Sequence, residues 1–343
     1  MAKIINDSWD HLIGNESQLS EKQKEIFKDY IRTLEKNGLP VIFEFQHLSL
    51  LLGITASALA QTIINPEKSY RSFHIKKKRG GCRVINAPYP LASHIQKWIN
   101  TNILSKIKIH ESSFAYKKYS NAHLHALQHI DTNETLKIDI VDFFGSIKKI
   151  NIIRVFRELG YADNVSLYLA SACTYNDSLP QGAVTSPNLS NIVFHNLDKR
   201  FYNFAMKLNL KYSRYADDLF FSGKKIPSNL YKSIESILQS SGFSINKEKT
   251  RHITNGNQKI ITGLAVKENS VRIPKSYRRK FCQEAYIFIK NEKLNNSMKN
   301  NNFDPILIDR LIGRASYILQ IEKNNERIIK LLRQLNEIKS IRF

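Results

Sequence analysis

Apolar residues recur at helical spacing near the start of the chain. Gln18–Leu34 carries apolar residues three and four positions apart among charges, and Gly38 and Pro40 follow it, so this segment predicts a helix with a defined end. Leu48–Ile64 predicts a second helical stretch with a turn near Gly53, in a pattern like that of a helix-turn-helix. DNA reading by this stretch is the less favoured interpretation, and we expect a helical hairpin that packs beneath the rest of the fold.

Strand-like runs begin after this helical region. Phe73–Ile75 and Cys82–Ile85 flank the basic, glycine-ended segment Lys76–Gly81, which predicts a hairpin. Leu136–Val141 predicts a short buried strand, and Leu210–Ser222 predicts a second hairpin. Further helices are predicted over Ala92–Ile107, Ala122–His129, Ile152–Tyr161, Asn164–Ala172 and Pro187–Leu208.

The last third of the chain has a mostly helical pattern. One strand-like stretch interrupts it at Ile260–Val266, and Asn291–Asn302 is an Asn/Lys-rich segment typical of an exposed loop. Together, the segments predict an α+β fold in which helices surround a small sheet.

Charge and cysteine content narrow the function classes. Lys and Arg number 52 against 30 Asp and Glu in 343 residues, a net charge of +22 that favours a polyanionic partner. Cys82, Cys173 and Cys282 form no spaced pairs, so we expect neither disulfides nor a cysteine zinc site, which suits a reducing cytoplasm. The apolar stretch Val41–Ala60 is interrupted by polar residues including Glu44, so no membrane span is expected.

Acidic residues stand in unusually apolar, strand-like surroundings. Asp217 and Asp218 are adjacent and lie between aromatic residues, and Asp139 lies within a β-branched strand. Like charges repel and are costly to desolvate unless a cation neutralises them. If the two strands are neighbours, three carboxylates meet in a site suited to Mg²⁺ and phosphoryl transfer. A polymerase or nuclease is therefore expected, and an acidic strand end neutralised by Lys or Arg is the structural alternative.

These acidic segments resemble the palm motifs of reverse transcriptases. Tyr215–Asp218 resembles the family signature Tyr-x-Asp-Asp, and Asp139–Phe144 resembles the preceding motif. Leu179–Pro187 resembles the Gln-Gly…Ser-Pro segment, and Gly242–Thr250 resembles the later palm motif that ends in Lys-Thr. The motifs follow the family's order and spacing, and they span residues from about 70 to 266.

Two more strings resemble elements of retron reverse transcriptases. Asn121–His125 resembles their Asn-Ala-x-x-His element, and Ile261–Val266 resembles their Val-Thr-Gly element with Ile in place of Val. The resemblance implies RNA binding by these elements and by a basic cluster that follows. The RNA-binding residues implied are Asn121, His125, Thr262, Gly263, Lys275, Tyr277, Arg278, Arg279 and Lys280. A zinc site on His125 and His129 is a minor alternative, because no further ligands stand nearby.

The resemblance implies a right-hand polymerase fold with fingers, palm and thumb. Its regions are expected to be an N-terminal helical region at 1–65, fingers with a retron-specific element at 66–135, a palm with a small antiparallel sheet at 136–266 that carries fingers insertions around 150–180, and a helical, RNA-binding thumb at 267–343.

The resemblance also implies roles for single residues. Asp139, Asp217 and Asp218, assisted by the Ile140 carbonyl, would hold two Mg²⁺ ions. Phe144 would exclude the 2′-hydroxyl of the incoming nucleotide, unless it is simply a core residue. Nucleotide contacts are expected from Lys77, Arg83, Gln181 and Gly182. Primer or template contacts are expected from Tyr215, Lys247 and Lys249, and one of the two lysines would protonate the departing pyrophosphate.

The implied function is RNA-directed DNA synthesis of the retron type. The enzyme would bind its cognate structured non-coding RNA, prime from an internal guanosine 2′-hydroxyl, and use dNTPs to make branched multicopy single-stranded DNA. Host ribonuclease H would remove the template, and an effector protein would act with the enzyme in antiphage defence. The alternatives are another prokaryotic defence or diversity-generating reverse transcriptase, and a non-catalytic RNA-binding scaffold.

Overall fold

Helices form the N-terminal part of the molecule. The computed structural model describes residues 9, 13, 19–77, 80–254, 258–293, 304 and 306–342. Helix α1 (Glu21–Lys36) begins at a capping box, in which the Ser20 hydroxyl accepts from the Gln23 amide at 3.3 Å. Helices α2 (Phe45–Leu52) and α3 (Ala56–Ile64) confirm the predicted helical pair. Among the described residues no single helix has the length and apolar character to cross a membrane, and α2 and α3, bent by 105°, pass that test only as a pair.

The predicted fingers hairpin is present. After the short helix α4 (Pro66–Ser69), strands β1 (Tyr70–Lys76) and β2 (Cys82–Pro88) pair antiparallel, with Tyr70 opposite Pro88 and Lys76 opposite Cys82. Helix α5 (Pro90–Asn102) and a 3₁₀ turn at Leu104–Lys106 follow, so the predicted helix to Ile107 ends one turn earlier in regular form.

The palm sheet has four antiparallel strands in the order β4-β5-β3-β6. They are β3 (Glu134–Ile140), β4 (Lys211–Tyr215), β5 (Asp218–Gly223) and β6 (Ile245–Ile253). The expectation of helix after the second hairpin is wrong for β6. This edge strand is mostly charged and exposed, which is how proteins protect sheet edges, and it therefore lacks the alternation that marks a strand in sequence.

One face of this sheet packs on helices to form the main core. Leu136, Ile138 and Ile140 of β3 and Leu219 and Phe221 of β5 are buried in that core. The helices between the 3₁₀ turn and β6 are α6 (Ala122–Leu127), α7 (Phe143–Ser146), α8 (Lys149–Glu158), α9 (Asp163–Cys173), α10 (Ser186–Val193), α11 (His195–Lys207) and α12 (Leu230–Ser240). The helix predicted as one piece over 187–208 is interrupted at Phe194, whose ring is fully buried.

The other face of the sheet contributes to a second core. Phe220 packs there with Ala126 of α6 and with Phe281 and Leu311 from the C-terminal helices. The elements on this side are β7 (Ile260–Ile261), β8 (Leu264–Val266), β9 (Val271–Arg272), α13 (Lys275–Lys293), α14 (Leu307–Ile321) and α15 (Glu326–Arg342).

The predicted single strand over 260–266 is a hairpin instead. Thr262 and Gly263 form its turn, with φ of 45° and 82°. Asn291–Asn302 was predicted to be a loop. Its first residues are helical instead, because α13 extends to Lys293, and its remainder lies outside the described residues. The architecture as a whole is α+β, with helices around small antiparallel sheets.

Candidate active site

Three carboxylates gather at one end of the palm sheet. Asp139 of β3 lies directly opposite Asp218 of β5, and the Ile140 amide donates to the Asp217 carbonyl at 3.0 Å. Opposed residues in an antiparallel pair have Cβ atoms about 5 Å apart, so their side chains share one face. The prediction that the two acidic strands are neighbours is confirmed.

Lysines lie against two of these carboxylates. Lys249 Nζ is 3.1 Å from both carboxylate oxygens of Asp139, and Lys137 Nζ is 2.8 Å from Asp218 Oδ2. Burial raises the pKa of Asp218 to about 6, although Lys137 opposes the shift. Burial also raises the pKa of Asp217, and the negative charge of Asp139 adds to it. The site is therefore an electrostatically unfavourable cluster that favours any added positive charge.

The donor atoms at this end of the sheet fit a hard cation. Asp218 Oδ1 is buried without a hydrogen-bond partner among the described residues, which is costly for a carboxylate oxygen. No three His, Cys, Asp or Glu side chains in the described part of the chain are already arranged as metal ligands. Lys137 and Lys249 are instead held at two of the carboxylates. Oxygen donors of this kind suit Mg²⁺ better than softer metals.

A cavity of about 650 Å³ lies beside the carboxylates, between the fingers hairpin and the palm. Residues from both regions line it, including Lys77, Arg83, Tyr116, Asp139, Ile140, Phe144, Gln181, Asp217 and Lys249. Most of the residues that were predicted to bind metal or nucleotide therefore line this one cavity. Phe143, by contrast, is 4% exposed and belongs to the main core.

The loop that carries Gln181 and Gly182 is attached to the fingers. The Asn86 amide of β2 donates to the Gln181 carbonyl at 2.8 Å. Gly182 has a φ of +127°, and a Cβ there would lie 2.8 Å from the Asn86 carbonyl oxygen. The absence of a side chain at Gly182 thus allows a close backbone approach to strand β2.

The structure distinguishes the two candidate lysines of β6. Lys249 lines the cavity and contacts Asp139, whereas the Lys247 ammonium lies 3.6 Å from Glu235 on α12 and its side chain is 77% exposed. Tyr215, the last residue of β4, is partly buried, and its ring lies 5.4 Å from the His125 ring.

A buried ion pair holds the turn that presents Asp217 and Asp218. Arg214 donates to Asp198 from Nε at 2.9 Å and from Nη2 at 2.6 Å, and both side chains are fully buried. Arg214 Nη1 also donates to the Ala216 carbonyl at 3.1 Å, and Ala216 has a left-handed φ of 57°. Sequence reasoning missed this pair, because Asp198 stands in a charged stretch typical of a solvated helix face.

The two retron-like elements contact each other beneath the second face of the sheet. His125 is bonded through Nε2 to the Ser213 hydroxyl at 2.7 Å and through Nδ1 to the Thr262 hydroxyl at 3.3 Å. The Thr262 hydroxyl also donates to the Ala122 carbonyl at 3.2 Å. Asn121 caps α6, since its side-chain oxygen accepts from the Leu124 amide at 2.9 Å.

The His125 side chain is inaccessible in this structure. It is 0% exposed, and burial lowers its pKa to about 3, so the ring is neutral. His129 is likewise 0% exposed and bonds Ser222 and Ser213, each at 2.6 Å, so both rings serve packing. Gly263 is exposed and Thr262 is partly exposed, so that turn remains accessible.

The basic cluster at the start of α13 is mostly exposed. Lys275, Arg279 and Lys280 are exposed, and Tyr277 is 37% exposed. Arg278 differs from its neighbours because it donates to Glu322 at 2.9 Å and so ties α13 to the end of α14. The cluster thus offers three cations and one ring to a partner.

Comparisons with known proteins agree with this geometry. Residues 75–304 match the family described as reverse transcriptase (RNA-dependent DNA polymerase). The Retron Ec86 reverse transcriptase of Escherichia coli is 30% identical over 90% of this chain and 95% of its own length. The Retron Mx162 reverse transcriptase of Myxococcus xanthus is 26% identical over 89% of this chain and 69% of its own length. Among solved structures, telomerase from Candida albicans aligns with 92% of this chain and 67% of its own, at 13% identity and a TM-score of 0.46.

The family match begins at the end of β1 and covers strand β2, the three carboxylates and the cavity beside them. The match to the Escherichia coli protein extends over nearly the full length of both chains. The chain therefore belongs to the reverse transcriptases, the RNA-directed DNA polymerases, and within them to the retron type.

Proposed function

We propose that the cavity between the fingers hairpin and the palm sheet is where this polymerase joins a deoxynucleotide to a growing DNA strand. The observation that carries the proposal is the convergence of Asp139, Asp217 and Asp218 at one sheet end, beside a cavity that Arg83 and Phe144 line. Buried carboxylates with raised pKa values, such as Asp217 and Asp218, cluster at functional sites and support this proposal.

The three aspartates, with the Ile140 carbonyl, would hold two Mg²⁺ ions. When bound, such ions supply electrostatic stabilisation to the attacking and leaving oxygens of phosphoryl transfer. The protein's own contribution is to hold the carboxylates in place, through the β3–β5 pairing and the Arg214 bond to the Ala216 carbonyl. Cation binding would compete with the ion pairs that Lys137 and Lys249 make in this structure.

Fingers and palm would grip the nucleotide from two sides. Arg83, and Lys77 as a second cation, would bind the triphosphate, since a guanidinium can donate two parallel hydrogen bonds to phosphate. Gln181 would lie against the new base pair, with Gly182 holding its loop on the fingers. Phe144, on the cavity wall, would exclude the 2′-hydroxyl of ribonucleotides by steric contact.

Primer and leaving group would be handled by palm residues next to the carboxylates. Tyr215 would contact the primer end, because it immediately precedes the turn that carries the aspartates. Lys249 is favoured over Lys247 as the proton donor to pyrophosphate, because only Lys249 lines the cavity.

The retron-type similarity supports a more specific proposal. The enzyme would bind a cognate structured RNA, prime from an internal guanosine 2′-hydroxyl and leave branched multicopy single-stranded DNA in the bacterial cytoplasm. Host ribonuclease H would trim the template, and an effector protein would join the system in antiphage defence. RNA contacts would come from two accessible surfaces of the chain. They are the elements with Asn121, Thr262 and Gly263, and the cluster with Lys275, Tyr277, Arg279 and Lys280.

Co-expression with the upstream DNA tests these proposals separately. We expect small branched DNA from the wild-type protein, none from Asp217→Asn, and a normal yield from Asp29→Asn, which changes an exposed aspartate on α1. Branched DNA from Asp217→Asn would show that the metal assignment is wrong. Linear product alone would favour another prokaryotic reverse transcriptase, and no DNA on any template would favour the scaffold alternative.

A further inference from the structure

A fifth backbone segment, at residues 112–116, lies along the edge of the palm sheet. Ser113 pairs in parallel with Arg214 of β4. The Arg214 amide donates to the Ser112 carbonyl at 2.7 Å, and the Phe114 amide donates to the Arg214 carbonyl at 2.9 Å. This segment is thus bonded to the strand that leads into the catalytic turn.

Side chains reinforce this attachment. Arg214 Nη2 donates to the Ser113 hydroxyl at 3.1 Å, and Asn191 Nδ2 donates to the Ala115 carbonyl at 2.9 Å. Ser113, Asn191 and Arg214 are all 0% exposed. Tyr116, which follows Ala115, is therefore attached to a hydrogen-bonded segment and not to a free loop.

Tyr116 enters the catalytic cavity from this base. It lines the cavity together with Arg83 and Phe144, and its ring centroid is 6.2 Å from that of Phe144 at an angle of 44°. Tyr116 keeps 47% of its surface exposed and has a left-handed φ of 59°. This backbone conformation is uncommon for a bulky residue, and here it belongs to a turn.

The Tyr116 phenol is uncharged. Burial raises its pKa, and the nearby Asp217 carboxylate adds to that rise. Tyr116 therefore presents a neutral aromatic ring to the cavity, and its proposed role depends on that ring and not on the hydroxyl.

We propose that Tyr116 is a specificity-determining residue which forms, with Phe144, a two-ring wall against the sugar of the incoming deoxyribonucleoside triphosphate. The inference rests on the proposed site of nucleotide addition and on Phe144 as the residue that excludes the 2′-hydroxyl. Because Tyr116 packs against Phe144 from another segment, it limits the space into which the Phe144 ring can turn. The Phe144 ring can exclude a 2′-hydroxyl only if the ring cannot move out of its way.

Tyr119 offers a matched control in the same segment. Like Tyr116, it has a left-handed φ, of 61°. It is 86% exposed and does not line the cavity, and the Lys118 ammonium lies 4.9 Å from the centroid of its ring. Glycine accepts this backbone conformation, so Tyr116→Gly and Tyr119→Gly each remove a ring without straining the main chain.

The test is primer extension on an RNA template, with kcat and KM measured for matched dNTPs and rNTPs. We expect Tyr116→Gly to raise the KM for dNTP and to lower the preference for dNTP over rNTP, each by about tenfold. Tyr119→Gly and Tyr116→Phe should each leave the preference within about twofold of wild type, because neither removes a ring from the wall. Tyr116→Asn, which also tolerates the left-handed conformation, repeats the test if the glycine variant unfolds.

Combining Tyr116→Gly with Phe144→Ala should lower the preference by less than the product of the single effects, since the two rings act together. The inference is overturned if Tyr116→Gly changes KM and preference no more than Tyr119→Gly does, or if only kcat falls. Normal wild-type kinetics with an unaffected Tyr116→Gly would overturn this inference alone. A wild-type protein that incorporates no dNTP would overturn the proposed function as well.

Discussion

Two carboxylate–cation pairs near the β4–β5 hairpin differ in how completely their carboxylate oxygens are hydrogen-bonded. Asp198 and Arg214 are fully buried, and both oxygens of Asp198 are bonded, since Tyr212 adds a hydrogen bond at 2.7 Å to the two from the guanidinium. Asp218, four residues after Arg214, has Lys137 on one oxygen and no partner for the other among the described residues.

The difference separates a pair that stabilises the fold from a pair in the proposed cation site. A buried ion pair holds a fold together only if its hydrogen bonds are complete, as they are around Asp198. Burial raises the pKa of Asp218 although Lys137 opposes the shift, so this carboxylate retains an affinity for further positive charge. Arg214 of the completed pair also donates to the Ala216 carbonyl, so this pair helps to position the turn that carries Asp217 and Asp218.

Breaking the completed pair should have the largest effect. Asp198→Asn leaves the Arg214 charge buried without its counterion, and we expect the free energy of unfolding to fall by about 3–5 kcal/mol. Denaturant unfolding measures this change, and Asp29→Asn, in an exposed pair with Arg32, should stay within about 0.5 kcal/mol of wild type. A loss below about 1 kcal/mol for Asp198→Asn would contradict the contrast between the two regions.

The lysine beside Asp139 should matter for the reaction and not for the fold. If Lys249 protonates the leaving pyrophosphate, Lys249→Met should lower kcat by about 100-fold, the lower end for general acid catalysis. Lys247→Met, two residues away on the same strand, should stay within about twofold, because its ion pair with Glu235 is exposed. Single-nucleotide incorporation measures both variants, and equal losses would remove the distinction between the two lysines.

The incomplete pair should respond to pH in a defined direction. Asp218 has a pKa of about 6 in the folded protein against an ordinary value of 3.8, so the folded state binds more protons between these values. Its charge therefore destabilises the fold above pH 6, and this penalty shrinks as the pH falls. Asp218→Asn should raise the free energy of unfolding by about 3 kcal/mol at pH 7.5 and by about half as much at pH 5.

Unfolding in the presence of a chelator checks this last prediction, because bound cations would otherwise stabilise the wild-type carboxylate. A gain that is equal at both pH values would mean that Asp218 carries no unusual protonation equilibrium.

The sequence predicted the proposed cation site better than the pair that stabilises the fold. Asp139, Asp217 and Asp218 stand in short local motifs, so strand pairing alone was needed to bring them together. The Asp198–Arg214 pair joins a helix to a strand, and nothing in the neighbourhood of either residue marks it as buried. Pairing of that kind is decided by how α11 packs on the sheet, which local patterns do not contain.

Two other differences have the same origin. Strand β6 was missed because an edge strand exposes charged residues in place of an alternating apolar face. His125 stands in a motif whose resemblance implies RNA binding, yet the packing of α6 on the second face buries its side chain. In both cases the tertiary partner, and not the local composition, decides what the residue does.

The position of β3 has a consequence for how the chain is made. This central strand lies between β5 and β6, yet β5 begins at Asp218, 78 residues after β3 ends at Ile140. At about 5–20 residues per second, a ribosome takes roughly 4–16 s to supply that partner. Meanwhile Leu136, Ile138 and Ile140 lack the strands that flank them in the sheet. Helices α1, α2, α3 and α5, already synthesised, and α8 to α11, synthesised in that interval, all contribute residues to the same core. These helices are therefore the segments available to cover β3 before it has a sheet to join.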